Sequence, residues 1–270
     1  MRELKVAVVQ MGPELAKMEE NVGKMSETIA RIATEQPVDV IVFPELSVTG
    51  YEGGARFAQM AQRVPGAVTN ILGQHATDFG VYVLIGMAVK EDVETVLYNG
   101  AVLIAPDGEV AGTYRKVHLP AEERLIFRPG YQIKPLETEV GILGVMTGWD
   151  LAFPEVARSL MLSGAEIILL PAAWQAKDAD IWRTLLVARA YENDTFIAAA
   201  NRIGEEPSYS FAGQSAVLSP SGEVIAALEE PEEGYVVVRL DLDEVRHRRE
   251  ESQMMLARQP GSYRPIVRKY

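Results

Sequence analysis

The chain has 270 residues, a formal net charge of −12, 48% hydrophobic and 24% charged residues, and no cysteine. That length and balance suit one large α/β domain or two small ones, with a core that needs no disulfide or metal to hold it. The acidic surplus argues against a nucleic-acid or anionic-membrane partner, the missing thiols exclude disulfides and cysteine chemistry, and no apolar run approaches the roughly 20 residues of a membrane helix.

The N-terminal MRELKVAVVQ enters a strand at once and has no signal-peptide pattern, which predicts a cytoplasmic protein. Residues 4–10 form a short β-branched strand. Leu15, Met18, Val22, Met25, Ile29 and Ile32 then recur at spacings of three and four, the apolar face of an amphipathic helix. Residues 39–43, DVIVF, predict a strand buried on both faces, so the opening is a strand–helix–strand crossover that ends at Pro44-Glu45. A helix over 67–79 precedes a strand over 81–88. Strands over 96–105 and 110–114 flank Pro106-Asp107-Gly108, a strong hairpin turn. Arg115-Lys116-Val117-His118 follows, then a charged loop with Glu122, Glu123 and Arg124.

The second half repeats this order: a strand over 140–146, a helix over 154–163, a strand over 166–170 ending at Pro171, a helix over 181–193 and a strand over 195–200. Strands over 216–218 and 224–227 flank Pro220-Ser221-Gly222, and a last strand covers 235–240. Asp241 or Asp243 can cap a charged final helix. Two internal echoes support paired halves: DVIVFPE at 39–45 against EIILLPA at 166–172, and APDGEV at 105–110 against SPSGEV at 219–224. Two such halves predict two sheets with helices outside, a four-layer α-β-β-α sandwich over residues 1–270. Glu45 has only Ala172 as its counterpart, so one half is chemically specialised.

The stretch 141–155, GILGVMTGWDLAFPE, carries the main puzzle. A buried strand ending in a tight turn before a helix is where α/β enzymes often place a nucleophile. Here the tip is Gly148, which has no side chain. Elsewhere, Glu45 stands where a buried strand ends, where desolvation raises a carboxyl's pKa and suits it to general-base work; a salt bridge or helix partner is the plainer alternative. Lys116 follows a hairpin strand and can stabilise an oxyanion, or lie on the surface. His75, His118 and His247 are scattered without metal-ligand spacing, so neither metal nor cofactor is expected.

Taken together, VAVVQM at 6–11, FPELSVTGY at 43–51, YRKVHL at 114–119, FRPG at 127–130, GWDLAFPEVAR at 148–158, GAEIILLPAAW at 164–174, RAYEN at 189–193 and ANRIG at 200–204 resemble the carbon–nitrogen hydrolase (nitrilase) superfamily. The resemblance implies the same four-layer sandwich. It also implies hydrolysis of a non-peptide C–N bond in a small amide, N-carbamoyl compound or nitrile. The family's base falls on Glu45, its oxyanion-stabilising lysine on Lys116 and its second glutamate on Glu123, with Glu122 one register away. Its cysteine nucleophile falls on Gly148, and the preceding position, ordinarily aliphatic, is Thr147. Covalent catalysis is therefore expected to be impaired. The chain is then a ligand-binding or regulatory pseudoenzyme, a deliberately inactivated form, or an enzyme in which Glu45 and Lys116 activate water. Thr147 is out of register for a nucleophile, its side chain expected on the opposite face of the strand.

Tyr51, Trp149 and Trp174 sit beside the family's pocket segments and are candidate substrate contacts, while the loops near 120–130 and 172–180 should set pocket size. Arg158, Arg189 and Glu192 suit structural ion pairs. A homodimer or higher homo-oligomer is implied, with the 148–150 turn and the helix over 181–193 as plausible surfaces.

Overall fold

Apolar, β-branched runs build two six-stranded sheets of matching plan. The computed structural model describes residues 2–91, 96–120 and 122–268. Position 121, inside a loop expected to shape the pocket, and the last two residues of the tail lie outside them. The first half runs β1 (Glu3–Gln10), α1 (Met18–Glu35), β2 (Val40–Val42), α2 (Phe57–Met60), α3 (Ala67–Phe79), β3 (Tyr82–Lys90), β4 (Leu97–Ile104) and β5 (Val110–Arg115). The second runs β6 (Leu136–Thr138), β7 (Gly141–Val145), α4 (Pro154–Leu162), β8 (Ile167–Ala172), α5 (Ala179–Asn193) and β9 (Phe196–Asn201). It continues through β10 (Ile203–Glu206), β11 (Tyr209–Ala212), β12 (Ala216–Leu218), β13 (Val224–Ala227), β14 (Gly234–Asp241), α6 (Asp243–Ser252) and α7 (Met254–Ala257).

One sheet has the order β14-β1-β2-β3-β4-β5 and the other β6-β7-β8-β9-β12-β13. In each, three central strands are parallel and the flanking pairs antiparallel. The echo extends to single bonds. Asp39 accepts from the Lys5 amide at 2.7 Å, and Glu166 accepts from the Ile142 amide at 3.2 Å. Register shifts fall at Leu103/Ile104 and at Val217/Leu218, just ahead of the two matching turns.

Alternation along the strands divides the core. Leu4, Val6, Val8, Val40 and Val42 cluster with Leu143, Val145 and Ile167 between the sheets. Ala7, Val9, Ile41 and Phe43 instead pack against Val22, Met25, Ile29 and Ile32 of α1 and Leu72 and Ala76 of α3. Helices α4 and α5 lie on the second sheet and bury Val156, Leu160, Trp182 and Leu186. The result is the expected α-β-β-α sandwich. Among the described residues no helix is long and apolar enough to cross a membrane.

Three local expectations are corrected. Leu15 lies outside α1 because the chain turns at Ala16, whose φ of 63° is left-handed and cannot join a helix. Strand β8 passes through Pro171 to Ala172; β7 pairing ends at Leu169, so the missing proline N–H breaks no ladder bond there. The charged helix α6 has Leu242 at its N-cap position, which makes no side-chain cap, and Asp241 instead accepts from the Asp243 amide at 3.0 Å. The hairpin β10–β11 and the short β6 are not predicted from the sequence; IGEE and LET are too short and polar to show a strand period.

Candidate active site

Glu45 follows β2 at the seam between the sheets, its amide donating to the Ala172 carbonyl at 3.3 Å. Gly86 of β3 makes this approach possible: a Cβ there would meet Glu45 Cα at 2.5 Å. Asn99 points from β4, and Lys116 sits just beyond β5, its amide bonded to the Asn99 carbonyl at 2.9 Å. Glu123 lies in a single 3₁₀ turn over 123–125. Four side chains distant in sequence thus meet at one buried point.

Lys116 Nζ donates to Glu45 Oε1 at 2.6 Å and to Glu123 Oε1 at 2.7 Å. Asn99 Nδ2 bridges the same two carboxylates at 2.7 and 3.1 Å, and the Tyr51 hydroxyl donates to Glu123 Oε1 at 2.8 Å. Glu45 and Lys116 are 1% and 2% exposed, so these bonds act in a low-dielectric setting. Burial pushes the Glu45 carboxyl up; the Lys116 ammonium pulls the other way, and Glu123 adds to the rise. Burial disfavours the Lys116 charge, but Glu123 and Glu45 outweigh it and hold its pKa above the ordinary lysine value. Burial first, then the Glu123 and Glu45 charges, keeps the Tyr51 phenol well above its usual range, a neutral donor.

All the protein donors to Glu45 among the described residues fall on Oε1. Oε2 faces Gly148. This glycine opens a 3₁₀ turn at φ +50°, and a Cβ built on it would lie 2.1 Å from Glu45 Oε2. Glycine, lacking a Cβ, tolerates the left-handed backbone cheaply. The absence of a side chain at 148 does not simply leave room for water: the Glu45 carboxylate stands on the ground where that side chain would begin. A water reaching Oε2 has to come from the cavity side.

The turn after β7 is held from below. Asp150, fully buried, accepts from the Tyr114 hydroxyl at 2.7 Å, the His118 amide at 2.9 Å and, facing its ring, His118 Nδ1 at 2.8 Å. His118 also stacks on Phe153 with centroids 3.6 Å apart, a structural place. Thr147 is buried and its Oγ1 has no partner among the described residues; it does not line the cavity. The Arg189–Glu192 ion pair forms at 3.0 Å, whereas Arg158 donates to the Glu192 carbonyl, not its carboxylate.

A cavity of about 130 Å³ opens over this cluster. Glu45, Tyr51, Lys116, Trp149 and Trp174 line it, with Asp178 at its wall. The three aromatic residues expected beside the pocket all line this cavity, and Trp174 Nε1 also donates to the Gly148 carbonyl at 3.0 Å. Glu122 is exposed beside a neighbouring pocket, so of the two registers it is Glu123 that meets Lys116. Sequence reading missed Asn99, whose signal was a polar residue inside the apolar strand run LYNGAVLI. It also missed the hairpin behind Tyr51. Glu206 accepts from the Tyr51 amide at 2.9 Å and from the buried Arg202, and Tyr51 packs edge-on against Tyr209 and Phe211. Among the described residues no group of three or more His, Asp or Glu is placed to hold a metal ion.

The arrangement offers a carboxylate with one free oxygen, an ammonium beside it and an aromatic cavity above. The carbon-nitrogen hydrolase family model matches residues 5–250. A nitrilase of Pyrococcus abyssi is 38% identical over 250 residues, 91% of this chain and 93% of the relative. A double mutant of the amidase from Nesterenkonia sp. AN1, solved in complex with acrylamide, superposes with a TM-score of 0.82 at 30% identity, covering 94% of this chain and 97% of that one. A carbon-nitrogen hydrolase from Helicobacter pylori has the same fold, with a TM-score of 0.93 at 24% identity and 99% of both chains covered.

Proposed function

We propose, because the chain belongs to the carbon–nitrogen hydrolase family, that it binds a small amide, N-carbamoyl compound or nitrile over Glu45 and Lys116. It then hydrolyses the C–N bond slowly, without a covalent intermediate. The observation that carries this reading is the free Glu45 Oε2 beside Gly148, with Lys116 Nζ 2.6 Å from the same carboxylate.

For an amide, Glu45 Oε2 takes a proton from water as the water oxygen bonds the carbonyl carbon. An ammonium has three N–H donors. Glu45 and Glu123 use two at Lys116, and the third stabilises the oxyanion. The protonated Glu45 then returns its proton to the leaving nitrogen as the C–N bond breaks, giving an acid and ammonia or an amine. Without a thiolate the barrier is not divided between two easier steps, so the rate is low. Tyr51 and Asn99 hold Glu123, and Tyr51, Trp149 and Trp174 enclose the substrate.

A second reading, a non-catalytic ligand-binding or regulatory protein of the same fold, is favoured by Gly148 itself, since the position offers no nucleophile. Assays over amide, nitrile and N-carbamoyl panels separate the two. Slow turnover abolished in Glu45→Gln supports hydrolysis; affinity with no turnover above the Glu45→Gln background supports binding alone.

A further inference from the structure

Among the described residues, Asp178 is the one charged residue of the cavity wall that the hydrolytic reading does not use. It occupies the N-cap position of α5, where an aspartate ordinarily bonds first-turn amides. Its side chain makes no such bond. Nor does its carboxylate have an ion-pair or hydrogen-bond partner among the described residues, although it lines the cavity over Glu45 and Lys116. The segment carrying it is held in place: the Trp174 amide donates to Asn201 Oδ1 at 2.8 Å, and Gln175 bridges to Phe211 of β11.

The surrounding charge points one way. Lys116 is the only cation lining the cavity among the described residues, and Glu45 and Glu123 already share it. Asp178 adds a further negative charge against that one ammonium. Three of the wall residues, Tyr51, Trp149 and Trp174, are aromatic, and an aromatic ring's face attracts a cation.

We propose that Asp178 is a specificity-determining residue whose carboxylate receives the ammonium end of a small amide, so that the cavity selects cationic substrates over neutral and anionic ones. The assignment rests on reading the cavity as an amide site. An anionic amide would bring its carboxylate against Asp178 with no free cation to meet it. A neutral one would leave Asp178 partly desolvated and unpaired.

The test is calorimetric titration of the chain with three amides of similar size: 4-aminobutyramide, pentanamide and succinamate. 4-Aminobutyramide should bind about tenfold tighter than pentanamide, the worth of one charge-assisted hydrogen bond, and succinamate weakest. In Asp178→Asn that ratio should fall toward one, and in Asp178→Lys the preference should pass to succinamate. The cationic advantage should also shrink as salt rises from 0.05 to 0.5 M, roughly a threefold change in Debye length, which tests the assignment even if a variant fails to fold. A ratio near one in the unaltered chain, indifference to salt, or an unchanged ratio in folded Asp178→Asn overturns the assignment. If pentanamide still binds in those cases and Glu45→Gln weakens it, the amide site itself stands. If none of the three binds, both readings fall.

Discussion

The Glu45 amide donates to the Ala172 carbonyl at 3.3 Å, so two residues at matching positions of the two halves are bonded to each other. Glu45 lies just beyond β2 and Ala172 is the last residue of β8, each the middle strand of a parallel trio. The near-twofold plan brings those strand ends together at the seam, and only one of them carries a carboxylate. The site is asymmetric chemistry on a symmetric frame: Lys116, Asn99 and Glu123 all belong to the Glu45 side, while Ala172 is fully buried beside them.

Gly148→Cys tests the turn. A non-glycine residue at φ +50° costs about 1–2 kcal/mol, and its Cβ would force Glu45 Oε2 from its place. The melting temperature should fall by a few degrees. Amide turnover should nevertheless rise by about 10²-fold or more, as a thiol beside a general base opens the covalent route. A clear rise in melting temperature would count against the strain argument.

Glu45→Gln should abolish the slow hydrolysis, a loss of about 10²–10⁴-fold for a positioned base. Because burial raises the Glu45 pKa, the working carboxylate is lost as pH falls through a value above that of an ordinary glutamate. The pH–rate profile should therefore climb with pH and bend above the usual carboxylate range. A bend at the ordinary value would remove Glu45 as the base.

Lys116→Met should cost about 3–5 kcal/mol at neutral pH, since two buried carboxylates lose their shared cation. The raised Lys116 pKa contributes stability that is complete below the unfolded lysine value of about 10.4 and is lost only as pH climbs through the folded one. The unaltered chain should hence show no Lys116-linked change between pH 5 and 8. In the variant, Glu45 and Glu123 repel each other and the folded state takes up protons more readily, so the deficit should be smaller at pH 5 than at pH 8. Melting curves at the two values decide; an equal deficit contradicts the charge account.

Glu206→Ala should strand Arg202, which is 1% exposed, and release the Tyr51 amide. Burial already lowers the Arg202 pKa against the pull of Glu206. A loss of about 3–5 kcal/mol is expected, with Glu206→Gln milder because an acceptor remains. Pentanamide affinity should weaken in both variants as Tyr51 loosens, measured alongside melting temperature. Full affinity in a destabilised Glu206→Gln would mean the hairpin does not position Tyr51.

The boundaries of α3, β12 and β13 are legible in the sequence to the residue, because hydrophobic period and Pro/Gly punctuation agree there. Leu15 was not, since the left-handed turn at Ala16 depends on a bond from its amide to the Thr49 carbonyl at 2.8 Å, far along the chain. The β10–β11 hairpin was not, because its strands draw their stability from Tyr51 and Arg202 packing, not from an apolar period of their own.

The sequence by itself determined the strand and helix order, the two echoing halves and the family pattern around Glu45, Lys116, Glu123 and Gly148, because these follow from local periodicity and contiguous motifs. Only the tertiary structure decided that Asn99 joins both glutamates, that Glu123 and not Glu122 meets Lys116, that Glu45 Oε2 stands against Gly148, and that Asp178 lines the cavity. Those are relations between side chains brought together across sheets and loops, and the short range of hydrogen bonds and van der Waals repulsion leaves no trace of them in residue spacing.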